Sequence, residues 1–514
     1  MNARLIALLP LLPLSLVLAG CSMEPRDVRP ASPVPPSWPV GDAYLRQNEA
    51  TLPVVSYRDV FQDPRLQTLI GQALANNRDL RVAAANIVVA RAQYRIQRAT
   101  LFPQVDATLS YTRSRNNRTT AFTGSDGGTT PGDGTDPGDG TGGGTGTGTG
   151  GVARGASTND NFGADLGITA FELDLFGRLR SLTRAQQNQY FATEAAARAT
   201  RLTLVSDIAD AWLAYAADAS LMRIAQQTAQ SAERSVALTR ARLRGGVAPR
   251  TDLRQAEQVL TAAQADLAEQ TTQLAQDVNA LQLLVGAPFD RALLPAAIEQ
   301  AASGVVALPA GLDSGVLLRR PDVVQAEYQL RAANAEIGAA RAALFPRISL
   351  TGVLGFASSA LGSLFEGDSF TYSVAPSVSY SIFQAGAARA NVRLSEAQRA
   401  AVLADYERTI QIAFREVSDA LARQGTLGEQ LRAIEAQTAA AADTYTLTEA
   451  RYRGGIDTFL ASLDAQRSLY QAQRTLVQTR FVAASNRVTL YRTLGGDSLL
   501  EATDGGPIPF TPPD

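Results

Sequence analysis

The chain has 514 residues, enough for several domains or one long elongated one, and its formal charge of −2 leaves no basic footprint for nucleic acid. All 47 basic residues are arginine, histidine is absent and cysteine occurs once. That inventory leaves no room for a histidine-based hydrolytic triad, a Cys/His metal centre or haem ligation, and no acid pair sits in a loop or pocket pattern. The reading is of a non-enzymatic chain with no catalytic residue, no cofactor and no metal.

Arg4 precedes an apolar run, Leu5 to Leu18, which is followed by Ala19, Gly20 and Cys21. A charged start, a short apolar core and small residues before a cleavage point read as a signal peptide over residues 1–20. The run is too short, and too broken by Pro10 and Pro13, to span a membrane. The ending LAGC resembles a bacterial lipobox, which implies cleavage before Cys21 and acylation of that residue, the only cysteine in the chain. Ser22 follows rather than Asp, and by the same resemblance this favours the outer membrane. Several acyl chains would hold firmly. No later segment reaches about 18 continuous apolar residues, so no membrane-spanning helix is expected.

Residues 21–60 form a Pro-rich extended segment, and two related halves follow, 61–286 and 316–496, joined by a linker at 287–315. ATLFPQV (Ala99–Val105) recurs as AALFPRI (Ala342–Ile348), NNRDL (Asn76–Leu80) as RRPDV (Arg319–Val323), and RLRGG (Arg242–Gly246) as RYRGG (Arg451–Gly455). Each half opens with a helix, about 66–99 and 321–343. Each then predicts two strands, about 104–113 and 162–176 in the first half and 347–356 and 370–383 in the second. A very long helix follows, 181–244 and 388–453. Gly-Gly stops it, and a returning helix runs over about 251–285 and 457–494. Residues 497–514 read as a flexible tail.

The long helices carry heptads. Tyr406, Ile410, Ala413, Val417 and Ala420 step by fours and threes, and the pattern continues to Tyr452. Leu204, Ile208, Ala211, Tyr215 and Asp218 do the same, continuing to Leu243. This is a coiled-coil seam, and a helix of about 64 residues spans roughly 95 Å, a length suited to crossing a compartment. Strands of about ten residues have the length that crosses an outer membrane. Lipid forbids open sheet edges, four strands cannot close, and the smallest such barrels have about eight. A chain with four would therefore share a barrel with its copies, and three copies give twelve strands. Between the first two strands lies a Gly/Thr/Asp-rich stretch, Gly128–Gly151, which reads as a flexible external loop.

Four motifs in order carry a family resemblance: FQDPRLQTLIGQALANNRDLRVA (Phe61–Ala83), LPAGLDSGVLLRRPDVVQAE (Leu308–Glu327), ARAALFPRISL (Ala340–Leu350) and RYRGGIDTFLASLDAQRSLY (Arg451–Tyr470). Together with the lipobox and the duplication, over about residues 18–496, the chain resembles the outer-membrane factor (TolC-like) family, in its OprM/NodT-type lipoprotein branch serving RND pumps. The resemblance implies a mainly α fold with a membrane β-barrel. The family form is a homotrimer with a twelve-stranded barrel continuing into a twelve-helix periplasmic tunnel. It implies a passive multidrug efflux duct in the Gram-negative outer membrane, partnered by a periplasmic adaptor and an inner-membrane RND pump.

By that resemblance the two Gly-Gly turns are tunnel tips that meet the adaptor. They comprise Arg242, Gly245, Gly246, Val247, Ala248 and Thr251 in one copy, and Arg451, Gly454, Gly455, Ile456 and Asp457 in the other. Leu460, Asp464 and Arg467 match the family's periplasmic gate. They step by four and three and so share a helix face. Leu253 and Glu257 are read as their counterparts in the first copy. Tyr452 and Asp252 match a supporting hydrogen bond between the hairpins. Rival readings are a duct of the same fold for type I protein secretion or metal efflux, and a non-channel structural lipoprotein.

Overall fold

The computed structural model describes residues 22–39, 44, 56–118, 155–308, 313–503 and 505–508. The expected signal peptide, Cys21 and the Gly/Thr/Asp-rich loop lie outside them. The chain divides into a helical unit, residues up to 99, 176–344 and from 384 onward, and a strand unit, residues 100–175 and 345–383.

In the helical unit a single turn, α1 (Tyr57–Val60), precedes α2 (Pro64–Asn76) and α3 (Arg78–Ala99). The sequence predicts one helix over 66–99, and the structure breaks it at Asn77. Asn77 is buried; its Nδ2 donates to the Leu284 carbonyl at 2.8 Å, and its Oδ1 accepts from the Leu80 amide at 3.0 Å. The side chain thus caps α3 while tying it to a distant helix. That distant helix is α5 (Arg250–Val285), which returns from α4 (Arg178–Arg244). Gly286 ends α5 at φ 73°, where a Cβ would lie 2.7 Å from the Asn76 carbonyl.

A short α6 (Ile298–Ser303) lies in the linker, and α7 (Pro321–Ala342) opens the second half. The second long helix, α8 (Ala387–Arg453), and its return, α9 (Phe459–Thr493), follow. Both long helices have 67 residues, roughly 100 Å each. The named heptad positions from Leu204 to Leu243 and from Tyr406 to Tyr452 are all buried or half-buried.

Two apolar cores organise this unit. One surrounds the fully buried Trp212, whose Nε1 donates to the Leu293 carbonyl at 3.0 Å, and includes Phe61, Ile208, Leu281, Ile298 and Tyr491. The other joins Trp38 to Leu317, Tyr406, Ile410 and Val417, with Trp38 stacked on Phe414 at 5.0 Å.

Trp38 ends an N-terminal strap that begins at Ser22. Glu24 pairs with Arg184 at 2.9 Å, and the Pro25 carbonyl accepts from Asn334 at 3.0 Å. Arg29 pairs with the buried Glu327 at 2.7 Å. At Gly338 an added Cβ would lie 2.3 Å from Glu24 Cγ, so the strap lies directly against α7.

The expected flexible tail is corrected over its described part. Residues Ala502–Thr503 (β5) and Gly506–Pro507 (β6) form a small hairpin. The Leu500 amide donates to Arg319 O at 2.9 Å, and Arg331 donates to the Gly505 carbonyl at 2.7 Å. Pro and Gly there serve a tight packed turn, with Gly506 at φ 115° against the Arg331 side chain.

The strand unit is one antiparallel sheet in the order β1-β2-β3-β4: β1 (Val105–Arg118), β2 (Gly155–Glu172), β3 (Arg347–Ser358) and β4 (Phe370–Ser379). The first pair is longer than its sequence pattern predicts, because cross-strand pairing continues to Arg118↔Gly155, beyond the apolar alternation. β4 is shorter, ending at Ser379 rather than 383. A register shift between Ile168 and Phe171, with Ala170 at φ 50°, bends β2. Within the described chain β1 and β4 each pair on one side only. All of β4 is exposed, and Phe370, Tyr372 and Val374 share one of its faces. No helix of the described residues is long and apolar enough to cross a membrane.

Candidate functional site

The two Gly-Gly turns fold alike. Gly246 at φ 73° donates to Leu243 O at 3.1 Å, and Val247 N donates to Arg242 O at 3.0 Å. Gly455 at φ 75° donates to Tyr452 O at 3.0 Å, and Ile456 N donates to Arg451 O at 2.9 Å. Both are Schellman motifs, in which a left-handed residue after the C-cap lets the chain satisfy the last helix carbonyls; glycine adopts it without a Cβ clash. Val247 and Ile456 then project into solvent, 76% and 68% exposed.

The flanking side chains differ. Arg451 grips Asp457 across the second turn, with N–O distances of 2.6 and 3.3 Å, and the guanidinium holds the Asp457 carboxyl below the usual carboxylate range. Ala248 occupies the matching place in the first turn. Arg242, expected among the exposed tip residues, is instead half-buried and reaches the other hairpin. It donates to the carbonyls of Tyr452 at 3.3 Å and Arg453 at 3.2 Å, and its guanidinium lies 4.5 Å from the centre of the Tyr452 ring. Tyr452 is buried among Val236, Ala256, Phe459 and Leu463. The expected hydrogen bond from Tyr452 to Asp252 is not formed, because the Tyr452 hydroxyl is buried with no partner. Packing of the ring under Arg242 fixes the side chain instead. Asp252 sits half-buried in the first turn of α5.

Leu460, Asp464 and Arg467 do share one exposed face of α9. Leu460 is 51% exposed, and the Asp464 and Arg467 side chains are 63% and 52% exposed with 3.8 Å between Oδ1 and Nη1. The matching of Leu253 and Glu257 to Leu460 and Asp464 is corrected. The caps are Pro249 and Thr458, and the turns are of equal length, so Thr251 and Gln255 are the structural equivalents. Leu253 packs into the hairpin core. Glu257 bridges Arg240 at 3.1 Å and Arg254 at 2.7 Å, and both hold its carboxyl low.

Two further bonds join the hairpins and were not legible in the sequence. Tyr445 and Ser231 hydroxyls meet at 2.9 Å, and the Tyr470 hydroxyl donates to Asp266 at 2.6 Å. Burial and the Asp266 carboxylate push the Tyr470 hydroxyl up to about 12, so it stays a donor. Tyr470 and Asp266 line a cavity of about 160 Å³ together with Thr228, Val259 and Arg467. Among the described residues no cluster of three or more acidic or cysteine side chains is gathered to hold a metal.

The model of the outer membrane efflux protein family matches residues 69–287 and 313–496. The probable efflux pump outer membrane protein TtgC of Pseudomonas putida is 41% identical over 494 residues, covering 95% of each chain. The outer membrane protein OprJ of Pseudomonas aeruginosa is 38% identical, with 94% of each chain covered. Among solved structures, the open-state MtrE outer membrane channel of Neisseria gonorrhoeae superposes with a TM-score of 0.76 at 32% identity, over 93% of this chain and 99% of that one. The CusC structure gives a TM-score of 0.78 at 35% identity, over 93% of this chain and 100% of that one. With both halves matched and the fold shared throughout, this chain belongs to the outer membrane efflux protein family.

Proposed function

We propose that the chain is the outer-membrane exit duct of a tripartite efflux system, conducting drugs or other small molecules passively from an inner-membrane RND pump and its periplasmic adaptor. Membership of the efflux family supports this reading, as do relatives named as efflux pump outer membrane proteins. The sheet has two one-sided edges, and in lipid these need partners; three copies closing twelve strands supply them. Cys21 is the acylated residue that adds a lipid anchor.

The observation that carries the gate is the exposed α9 face beside the second turn, where an apolar residue, an acid and a base stand in line. In a trimer three copies of Leu460, Asp464 and Arg467 narrow the tunnel, and Arg467 offsets the repulsion among the three acids. The turn residues Gly245, Gly246, Val247, Ala248 and Thr251 meet the adaptor, with Arg451, Gly454, Gly455, Ile456 and Asp457 from the second turn. Adaptor binding favours a splayed second hairpin and so shifts a two-state equilibrium toward open.

Single-channel conductance in a planar bilayer tests the reading, wild type beside Asp464→Ala. A small wild-type conductance that rises in the variant is expected. A channel unaffected by the substitution would remove Asp464 from the gate, and no channel from membrane-inserted protein would overturn the duct.

A further inference from the structure

The cavity between the two hairpins has a lining that the duct reading does not use. Val259, Ala263 and Asp266 reach it from α5, and Gln466, Arg467 and Tyr470 from α9. Ala263 is buried and Val259 half-buried, and with the Tyr470 ring they supply apolar wall. The volume of about 160 Å³ is close to that of an engineered apolar cavity of about 150 Å³ that takes up benzene.

The polar groups of the lining are unequally engaged. Asp266 Oδ2 already accepts from the Tyr470 hydroxyl at 2.6 Å, and the Arg474 guanidinium lies 5.6 Å from the centre of the Tyr470 ring. Arg467 is held far less firmly. Its Nη1 stands 3.8 Å from Asp464 Oδ1, beyond hydrogen-bond reach, and its five N–H donors find no acceptor among the described residues.

Gln466 is the second unengaged group. It is only 8% exposed, yet its amide makes no hydrogen bond among the described residues. A buried amide without a partner is costly unless the space it faces supplies one. Its polar atoms are not sealed off by protein, so they stay reachable from the cavity they line.

What the lining has to offer is therefore chiefly N–H donors beside an apolar wall. A carboxylate matches a guanidinium bidentately, and a benzene-sized ring fits the volume. An organic cation would instead find Asp266 taken by a hydroxyl, with Arg467 and Arg474 nearby as like charges.

We propose that this cavity binds a small aromatic carboxylate, its ring against Val259, Ala263 and Tyr470 and its carboxylate on Arg467 and the Gln466 amide. The bound molecule touches both hairpins at once. It therefore binds the clasped arrangement better than the splayed one and shifts the equilibrium toward it, as a removable strut.

The test titrates the purified full-length protein in detergent with para-fluorobenzoate, read by broadening of its fluorine NMR line against protein-free micelles. Wild type is expected to bind this probe more tightly than para-fluorobenzylammonium. Arg467→Gln should weaken binding roughly tenfold, the loss of one charge-assisted contact. Gln466→Leu should weaken it by a smaller factor, and Ala263→Leu should abolish it by filling the space. Arg432→Gln, on α8 and outside the lining, should bind as wild type does. Circular dichroism checks that each variant folds; if Ala263→Leu does not, the other two decide. No broadening above the micelle background overturns the site, as does unchanged affinity in both Arg467→Gln and Gln466→Leu. Full binding by a folded Ala263→Leu places the probe elsewhere and overturns it too. Tighter binding of the ammonium probe overturns the anion assignment and gives the cavity to Asp266. Spin labels on Val247→Cys and Ile456→Cys should report a narrower distance distribution at saturating probe, and an unchanged one overturns the strut. A protein that conducts ions yet binds no probe sinks the cavity proposal alone and leaves the duct reading intact.

Discussion

Replacing Arg242 with Ala separates two devices that could hold the hairpins together. In the structure one guanidinium donates to two carbonyls at 3.3 and 3.2 Å and covers the Tyr452 ring at 4.5 Å. A charge-assisted hydrogen bond contributes about 1.5–3 kcal/mol net and an exposed cation–π contact about 0.5–1 kcal/mol. Partial exposure and side-chain ordering reduce the sum, so a loss of about 1–3 kcal/mol is expected, or roughly 5- to 150-fold in the equilibrium between clasped and splayed hairpins. The Asp464–Arg467 pair within one chain, at 3.8 Å and more than half exposed, contributes only about 0.2–0.5 kcal/mol. Within a protomer the clasp should therefore dominate. Spin labels on Val247→Cys and Ile456→Cys read the separation of the two tips. Arg242→Ala should broaden and lengthen the distance distribution, whereas Arg242→Lys should recover part of it through charge without the planar stack. An unchanged distribution in Arg242→Ala would refute the reasoning.

Two other outcomes follow from the cores. Trp212→Ala should cost about 3–5 kcal/mol, seen as a lower denaturation midpoint, because the side chain is fully buried and its Nε1 satisfies Leu293 O. Burial, with the Asp277 carboxyl beside it, pushes the Asp218 carboxyl from the ordinary 3.8 up to about 7. An acid whose pKa is raised on folding binds its proton more tightly in the folded state. Its contribution is thus complete below about pH 4 and is lost as pH rises through about 7. Asp218→Asn should flatten the fall in thermal midpoint between about pH 4 and pH 7; a fall of undiminished size would assign the dependence to other groups.

What the sequence disclosed and what it hid divide along a physical line. Heptads announced α4 and α8 because each seam residue repeats the same local requirement for burial, and Gly-Gly announced the turns because a left-handed backbone favours glycine. Leu460, Asp464 and Arg467 could be placed on one face from periodicity alone. The break at Asn77 was invisible because its cap works jointly with a carbonyl 207 residues away, at Leu284. The Arg242 clasp, the Tyr470–Asp266 bond and the packed tail share that character. Each depends on the relative register of separate helices, which no local pattern encodes. The misplaced counterparts of the gate residues had another cause, since similar words around Thr251 and Thr458 were aligned where the backbone caps differ by two positions.

The strap from Ser22 to Trp38 determines how tension would travel. Any pull applied to the chain at Cys21 first meets the Glu24–Arg184 pair, then the Pro25–Asn334 bond, then Arg29 on Glu327, before it reaches the Trp38 stack. These contacts follow one another along the strap, so they resist as successive bolts and give way one after another. They grip the start of α4 and the body of α7, whereas the Gly-Gly turns lie at the far ends of α4 and α8. A pull entering at residue 21 would thus be grounded before its force reached the tips, leaving their motion mechanically isolated from it.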